Sequence, residues 1–431
     1  MQAVRPFAIP LGDQSFFYHN NKCNHARNEK RDMNALEIIF WLALALVFYT
    51  YVGYGVTLFI LVRLKRLLGK QNKAKDTPDY EPEVTLFVAA YNEKDYVDAK
   101  VKNHLSLDYP KEKVHHLWVT DGSDDGTPDA LRKHPEVRLY HKDERGGKIG
   151  AINRGMQFVK TPIVIFSDAN TILSKESIRV ITSLFSDPKV GCVAGEKRIM
   201  MGEKEQAASA GEGLYWKYES ALKKWDAELY SAVGAAGELF AIRTELFQEV
   251  EKDTLLDDFI ISLRIASKGY TIQYSPDAWA METASANVKE ELKRKVRIAA
   301  GGIQSIIRLK HLLNPFRHGT LFFQYLSHRV LRWTLAPLAL PLIFLLNVLL
   351  AVGEGLGTPG LYNILLALQL LFYLMAMAGL WLENRQIRFK PFFVPYYFFV
   401  MNYAVYLGMI RYFRRQQGVN WERAKRAKHS P

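Results

Sequence analysis

Residues 163–170 constrain the fold more than any other stretch of this chain. Residues 163–166 are apolar, β-branched and aromatic, which predicts a strand buried on both faces. In open α/β sheets, ligands lie just beyond the carboxyl ends of strands, where this chain has Asp168 and Asn170. A carboxylate followed two residues later by an amide oxygen can hold a hard divalent cation such as Mg²⁺. The same residues also fit a plain Asx turn, so this stretch alone leaves both interpretations open.

The preceding residues repeat the pattern of an apolar strand followed by a helix. Residues 84–90 and 114–120 are predicted strands, and Leu139 and Tyr140 mark a short third strand. Helical spacing of apolar residues follows the first strand, and a second helix over 149–159 precedes the strand that ends at Asp168. Strands that alternate with helices predict a mostly parallel sheet covered on both faces.

Polar residues suited to a nucleotide follow successive predicted strands. Residues 91–93 offer an aromatic ring for a base and a carboxylate for ribose hydroxyls. Residues 121–127 form a glycine-containing turn that begins with Asp121, which could accept a hydrogen bond from a base. Residues 145–148 form a basic, glycine-rich loop before a helix, which suits a phosphate. Each segment alone could be an ordinary turn, but their repetition at successive strand or loop ends favours a nucleotide site.

Taken together, the motifs resemble the GT-A domain of family-2 glycosyltransferases. The motifs are Ala90-Tyr91-Asn92-Glu93, the Asp-Gly-Ser-Asp-Asp-Gly-Thr of residues 121–127, Gly146-Gly147-Lys148 and Asp168-Ala169-Asn170. The likeness is closer to the membrane-embedded synthases of cellulose, hyaluronan, chitin oligosaccharides and poly-N-acetylglucosamine, and it covers residues 40–415. Each motif is weak alone, and the set is specific in combination. The resemblance implies an α/β fold, with a Rossmann-like mixed sheet in a cytoplasmic GT-A domain and transmembrane α-helices.

The resemblance also implies how the donor is bound. The residues expected to bind the nucleotide-sugar are Tyr91 and Asp121 at uracil, Glu93 near the ribose, Lys148 and Arg297 at the diphosphate, and Asp168. Asp168 and Asn170 would hold the metal, Mg²⁺ or Mn²⁺. The family usually has a second aspartate where this chain has Asn170, whose carbonyl oxygen is a weaker ligand.

The acceptor side follows from the same resemblance. Residues 234–243 resemble the small-residue loop that binds the acceptor, and we expect Gly237 and Glu238 to contact it. Asp257 and Asp258 open a predicted helix, where carboxylates can simply cap the helix and interact with its dipole. In the family, the second acid of this pair is the general base, because a sugar hydroxyl is a poor nucleophile. We therefore assign Asp258 as the base and Asp257 as its support, for a single displacement with inversion at the anomeric carbon.

Residues 294–298 depart from the motif of the processive synthases. These enzymes carry Gln-x-x-Arg-Trp, where this chain has Arg294, Arg297 and Ile298. Arg294 is expected on the acceptor side, in place of the glutamine. Ile298 replaces the tryptophan that stacks on the acceptor sugar, which leaves processivity open. A basic amphipathic helix lying on a membrane would fit the same residues.

Long apolar blocks predict membrane spans. Residues 38–62 are almost uncharged and exceed the roughly 20 apolar residues that cross a bilayer. A basic flank over 63–75 predicts that this side is cytoplasmic. Three more blocks follow at 335–352, 361–382 and 392–412. Three spans would place the C-terminal tail outside, although its basic residues favour the inside, so the side of the tail stays open.

Charge and cysteine content narrow the class further. The formal net charge is +13, and the basic residues cluster beside apolar blocks, which favours a membrane partner over a nucleic acid. The two cysteines, Cys23 and Cys192, are too few for a zinc cluster or a disulfide framework. Residues 203–227, which are charged and aromatic, are best interpreted as an ordinary amphipathic helix.

Together, these observations predict the segments of the chain and its function. The predicted segments are an N-terminal tail (1–32), a transmembrane helix (36–63), a GT-A domain (78–300), interfacial amphipathic helices (301–333), three transmembrane helices (334–413) and a basic tail (414–431). The predicted function is an inverting transfer from a nucleotide-sugar, a UDP-sugar by preference, to a growing polysaccharide at the inner (plasma) membrane. The alternatives are transfer of one sugar to a lipid carrier or short acceptor, and a non-catalytic membrane scaffold.

Overall fold

The computed structural model describes residues 34–69, 80–200, 210–283, 288–385 and 390–415. The predicted tail 1–32 and all but the first two residues of the tail 414–431 lie outside these ranges. The chain divides into two compact units, Met1–Phe48 with Leu338–Phe372, and Tyr49–Pro337 with Tyr373–Pro431. The second unit contains the sheet and all of the predicted site residues.

The described strands form a single eight-stranded sheet. They are β1 (Val84–Ala90), β2 (Val114–Asp121), β3 (Val137–Lys142), β4 (Ile163–Ser167), β5 (Ile172–Leu173), β6 (Val190–Met200), β7 (Leu239–Arg243) and β8 (Thr271–Thr283). Their spatial order is β3-β2-β1-β4-β7-β6-β8-β5. The strands β1 to β4 pair in parallel, and β7 pairs antiparallel with both β4 and β6. The predicted α/β mixed sheet is therefore present.

Helices of the second unit cover the sheet and extend from it. They are α2 (Lys94–Leu105), α3 (Thr127–Arg132), α4 (Gly147–Met156), α5 (Ser177–Leu184), α6 (Ala210–Leu229), α7 (Asp257–Ser267), α8 (Val288–Arg308), α9 (Pro315–Tyr325) and α10 (Leu331–Trp333). Every residue of β1 and β4 is buried, as expected for strands covered on both faces. Phe166 in β4 stacks on Phe240 in β7, with ring centroids 4.7 Å apart, and this contact joins the parallel and antiparallel halves.

The apolar blocks are helices. By length and composition, four helices in the described part could cross a membrane: α1 (Asn34–Leu67), α11 (Leu335–Glu354), α12 (Leu361–Asn384) and most of α13 (Lys390–Phe413). This agrees with the four apolar spans predicted from the sequence. The segment boundaries predicted above remain predictions.

Helix α13 packs tightly on α8, the helix that carries Arg294 and Arg297. A Cβ atom added to Gly408 of α13 would lie 2.6 Å from the Cβ of Ala299 and 2.8 Å from the amide nitrogen of Ala300. Only a glycine allows so close an approach of the two backbones. A candidate membrane helix thus directly supports a helix of the candidate site.

Candidate active site

The loops after β1 and β2 are tied together at the carboxyl edge of the sheet. Asn92 donates its backbone N–H to Ser123 Oγ (3.1 Å) and its side-chain amide to Asp124 Oδ1 (2.7 Å). The backbone N–H of Glu93, whose side chain is buried, donates to Thr127 Oγ1 at 3.0 Å. These bonds fix residues 91–93 beside the 121–127 turn, as the nucleotide interpretation requires.

Tyr91 and Asp121 line one cavity, together with Arg145 and Lys148. The Arg145 guanidinium carbon lies over the Tyr91 ring, 3.8 Å from its centroid, which is a cation–π contact. A planar base can be held against such a surface. The structure therefore brings together the two residues that the sequence predicts for uracil.

Asp121 also organises the basic loop before α4. One carboxylate oxygen accepts hydrogen bonds from the backbone N–H groups of Gly146 (2.8 Å) and Gly147 (2.6 Å). The other oxygen accepts from the Arg154 guanidinium at 3.2 Å. These bonds hold the 145–148 loop over the end of β2 and aim Lys148 toward the centre of the site. The sequence indicated neither the bonds to the loop nor the contact with Arg154.

The centre of the site is an ammonium group among carboxylates. Lys148 Nζ lies 3.2 Å from Asp168 Oδ1 at the end of β4 and 3.4 Å from Asp257 Oδ2 at the start of α7. Burial alone would lower the pKa of Lys148, but Asp168, Asp257 and Asp258 raise it, so the lysine stays charged. Burial also raises the pKa of Asp168, although Lys148 opposes that shift.

Asp258, which is predicted to be the general base, lies in a buried position beside a second carboxylate. Burial, together with the adjacent charge of Asp257, raises the pKa of Asp258 to about 7. A base whose pKa lies near the working pH is the most effective at taking a proton. A Cβ added to Gly237 would lie 3.4 Å from Asp258 Oδ2, so the small-residue loop passes directly beside this carboxylate. The absence of a side chain at Gly237 leaves the Asp258 carboxylate open on that side.

A hydroxyl group fixes the small-residue loop against α7. Ser262 Oγ accepts a hydrogen bond from the backbone N–H of Ala235 (3.0 Å) and donates one to the carbonyl oxygen of Asp258 (2.6 Å). Gly234 adopts a φ of +88°, and a Cβ there would overlap Phe259, so only glycine fits. The distance between the loop and the Asp258 carboxylate is therefore set by direct contacts.

Two of the predicted acceptor residues, Glu238 and Arg294, belong to a second set of charged side chains. Glu238 forms an ion pair with Lys197, which also pairs with Glu282. Burial would raise the pKa of Glu238, but Lys197 holds it well below its usual range. Arg294 forms a two-pronged ion pair with Glu291, at 2.8 and 3.0 Å. Neither Lys197 nor Glu282 was predicted from the sequence, because the residues of β6 and β8 show no pattern that indicates a buried ion pair.

Arg297 is the arginine expected at the diphosphate. Within the described residues it makes no hydrogen bond and no ion pair, although it is largely buried. Burial lowers the pKa of its guanidinium, while the nearby Asp257 and Asp168 raise it. A buried cation without a bound anion is costly. Arg297 is thus available to bind an anionic ligand at the acidic end of the site.

The residues predicted for the metal provide few ligands of their own. In the part of the chain that the structure describes, no group of three or more His, Cys, Asp or Glu side chains could hold a metal ion. Asp168 and Asn170 offer a carboxylate and an amide oxygen, which are hard ligands that suit Mg²⁺ or Mn²⁺. Such ions are commonly held by one or two carboxylates together with substrate phosphates. The residues present therefore fit a metal that is shared with a diphosphate.

A mixed sheet with nucleotide motifs at its carboxyl edge and a carboxylate pair beside a small-residue loop defines a glycosyltransferase of the GT-A class. The family described as "Glycosyltransferase like family 2" matches residues 82–301, and the chain belongs to this family. The predicted family, GT-A fold class and enzyme class are thereby confirmed.

Curated relatives of this chain carry the name of a polysaccharide synthase. The chain is 27% identical over 235 residues to the poly-beta-1,6-N-acetyl-D-glucosamine synthase of Staphylococcus aureus (strain MSSA476), covering 52% of this chain and 56% of the relative. The enzyme of the same name from Staphylococcus epidermidis is 24% identical over 235 residues. The chain thus spans about half the length of the curated relatives it matches, at 56%.

A solved structure extends the likeness in fold. The mannosyltransferase PcManGT from Pyrobaculum calidifontis, in complex with GDP-Man and Mn²⁺, superimposes with a TM-score of 0.67 and 22% sequence identity. The match covers 88% of this chain and 99% of PcManGT. At this identity the likeness establishes the fold alone.

Proposed function

We propose that this chain transfers a sugar from a UDP-sugar to a growing polysaccharide at the inner membrane, with inversion at the anomeric carbon. One observation carries the proposal: Lys148 joins Asp168 of the donor motif to Asp257 of the catalytic pair, at 3.2 and 3.4 Å. The polysaccharide product is supported by the names of the staphylococcal relatives.

The donor would bind along the carboxyl edge of the sheet. The Tyr91 ring would stack on uracil, Asp121 would lie at the edge of the base, and Glu93 would lie near the ribose. Arg145 already covers one face of Tyr91, so a base would use the other face or displace the guanidinium. Lys148 and Arg297 supply the positive charge that the diphosphate needs.

The chemistry requires one proton transfer and one displacement. Asp258 would take the proton of the acceptor hydroxyl as its oxygen forms a bond to the anomeric carbon. The bond from that carbon to the diphosphate oxygen breaks at the same time, which inverts the configuration. Asp257 raises the basicity of Asp258 through its negative charge. Lys148 and Arg297 stabilise the charge that develops on the departing UDP.

A divalent metal, Mg²⁺ or Mn²⁺, would be held by Asp168 and Asn170. Its contribution when bound is to neutralise charge on the diphosphate leaving group. The Mn²⁺ in the PcManGT complex supports this part of the proposal. The position of Lys148 near Asp168 adds a second, permanent cation at the same carboxylate.

The apolar helices support the proposed location. We propose that α1, α11, α12 and α13 cross the membrane, with the sheet on the cytoplasmic side. The basic flank after α1 supports this orientation, because positive residues are enriched in cytoplasmic loops. A cytoplasmic site would have direct access to nucleotide-sugars.

A second function deserves a separate test: transfer of one sugar to a lipid carrier or a short acceptor. Ile298 supports it, since the processive synthases have a stacking tryptophan at this position. Both functions use the same donor chemistry. They differ in whether the extended product stays bound at the acceptor side of the site for another transfer or is released after one.

The test is product analysis with purified protein in lipid. The protein is incubated with Mg²⁺ or Mn²⁺ and a panel of UDP- and GDP-sugars, and released nucleotide and product length are measured together. Long polymer from one UDP-sugar is the expected result, whereas a singly extended lipid or oligosaccharide supports the second function. No release from any donor, with a set of lipid and oligosaccharide acceptors added, contradicts both.

A further inference from the structure

Helix α2 carries a lysine that is buried beneath the Asp168 turn. The side chain of Lys100 is among the largest fully buried ones, and the residue is 1% exposed. Its ammonium donates hydrogen bonds to Ser167 Oγ (2.7 Å), the carbonyl oxygen of Thr171 (2.8 Å) and Thr171 Oγ1 (3.0 Å). All three protons of the ammonium group are therefore used.

The three bonds close a ring under residues 168–170. Ser167 and Thr171 flank this turn, and their hydroxyl oxygens lie 3.1 Å apart. Thr171 Oγ1 also lies 2.8 Å from the carbonyl oxygen of Asp168, to which it donates. The backbone on both sides of Asp168 and Asn170 is thus held to a single buried group. Fully satisfied polar networks of this kind fix one local conformation.

We infer that Lys100 is a positioning residue, which sets the turn that presents Asp168 and Asn170 to a divalent metal. The inference rests on the proposed metal and donor role of that turn. Lys100 does not line the cavity that Tyr91 and Asp121 line, and its hydrogen bonds reach the site through Ser167 and Thr171.

The position of α2 links the Lys100 hydrogen bonds to a second part of the proposed site. The helix begins at Lys94, directly after the 91–93 segment proposed for the nucleoside. The Lys100 bonds therefore connect the nucleoside end of the site to the metal end through one rigid element. His104, one helical turn further on, is buried with neither ring nitrogen hydrogen-bonded within the described residues, so it offers the turn no substitute contact.

A positioning role and a purely electrostatic role for Lys100 predict opposite effects of its removal on metal affinity. If Lys100 acted only through its charge, its removal would strengthen metal binding, because an ammonium repels a divalent cation. If it positions the turn, its removal weakens metal binding, by about 10- to 100-fold as for other residues that orient metal ligands. A buried charge is costly to retain, which favours a specific role over an accidental one.

The experiment compares Lys100→Met with Lys102→Met, an exposed lysine on the same helix. Mn²⁺ affinity is measured by electron paramagnetic resonance in the presence of UDP, and UDP binding without metal by calorimetry. We expect Lys100→Met to lose about 10- to 100-fold in Mn²⁺ affinity, with metal-free UDP binding nearly unchanged. Lys102→Met should match the wild type in both.

A second pair of variants keeps the inference testable if Lys100→Met does not fold. Thr171→Ser keeps the hydroxyl that accepts from Lys100, whereas Thr171→Val removes it at similar volume. Only Thr171→Val should weaken Mn²⁺ binding, and its effect should not add to that of Lys100→Met. Equal Mn²⁺ affinity in Thr171→Val and Thr171→Ser would overturn the inference.

Unchanged or tighter Mn²⁺ binding in a folded Lys100→Met protein would also overturn it. Failure of the Lys100 inference can be distinguished from failure of the proposed function. A wild-type protein that binds Mn²⁺ with UDP but transfers no sugar contradicts the proposed function and leaves the Lys100 comparison valid. If the wild-type protein binds no Mn²⁺, the inference about Lys100 is overturned.

Discussion

Lys148 and Asp257 form an ion pair, with Nζ and Oδ2 3.4 Å apart, although one opens α4 and the other opens α7. The pair connects the parallel half of the sheet, where the predicted donor motifs lie, to α7, which carries the proposed base Asp258. Because Lys148 also contacts Asp168, a change at any of these three residues alters the charge felt by the other two.

Replacing Asp258 by asparagine should abolish transfer and leave nucleotide affinity nearly intact. The amide keeps the size of the side chain but cannot accept the proton, and general bases typically contribute about 10²- to 10⁴-fold in rate. Turnover is followed by released UDP, and UDP affinity by calorimetry. Asp129→Asn, an exposed aspartate on α3, is the matched control and should keep full activity. A large loss of UDP affinity in Asp258→Asn would contradict the assignment of Asp258 as the base.

The rate should fall in acid with a midpoint near the pKa of Asp258, which is raised to about 7. A carboxylate base works only when deprotonated, so activity is present above this pKa and is lost as the pH falls through it. Well below pH 7, kcat should drop about tenfold per pH unit. The measurement is kcat at saturating donor from about pH 5.5 to 8.5, with saturating metal at each pH to exclude weaker binding at Asp168. A flat profile over this range would count against Asp258.

Local sequence patterns predicted much of the fold and of the donor site. The strands β1 and β4 are mostly apolar and fully buried, and polar motifs follow both strands where the apolar pattern ends. The small-residue loop was also predicted from a local pattern, because glycines at 234 and 237 occupy positions where a side chain would meet neighbouring residues.

Contacts between distant segments could not be predicted in the same way. Lys100 looks like any lysine on an amphipathic helix, and its burial depends on contacts with Ser167 and Thr171, which lie far away in sequence. Helix α6 shows the same limit: its segment was predicted to be an ordinary amphipathic helix, yet it buries Glu219 and Asp226 against His328. Buried ion pairs have no periodic signal, because each partner is polar and lies far away in sequence.

Removal of the Arg297 guanidinium should weaken donor binding. The side chain makes no hydrogen bond and no ion pair within the described residues, so its contacts with a diphosphate would be new, charge-assisted hydrogen bonds of about 1.5–3 kcal/mol. Arg297→Ala should therefore weaken UDP affinity roughly 10- to 100-fold, with the fold intact. Lys293→Ala, at a 59% exposed side chain on the same helix, is the control. Equal UDP affinity in the two variants would exclude a diphosphate contact for Arg297.

Ile298→Trp should lengthen the product if the acceptor passes along α8. Gly302, one helical turn further on, lies against Trp333, whose ring in turn meets Phe259 beside Asp258 at a centroid distance of 5.3 Å. An indole at position 298 would add an aromatic surface on the same face of the helix, and aromatic stacking retains a sugar between successive transfers.

The measurement is product length by gel or mass spectrometry at equal donor turnover. Ile307→Trp, at a 47% exposed isoleucine of the same helix, makes the same substitution away from that face and should leave product length unchanged. Longer product in Ile298→Trp alone would identify position 298 as a determinant of processivity. Equal product length in both variants and the wild type would mean that retention of the acceptor depends on residues other than 298.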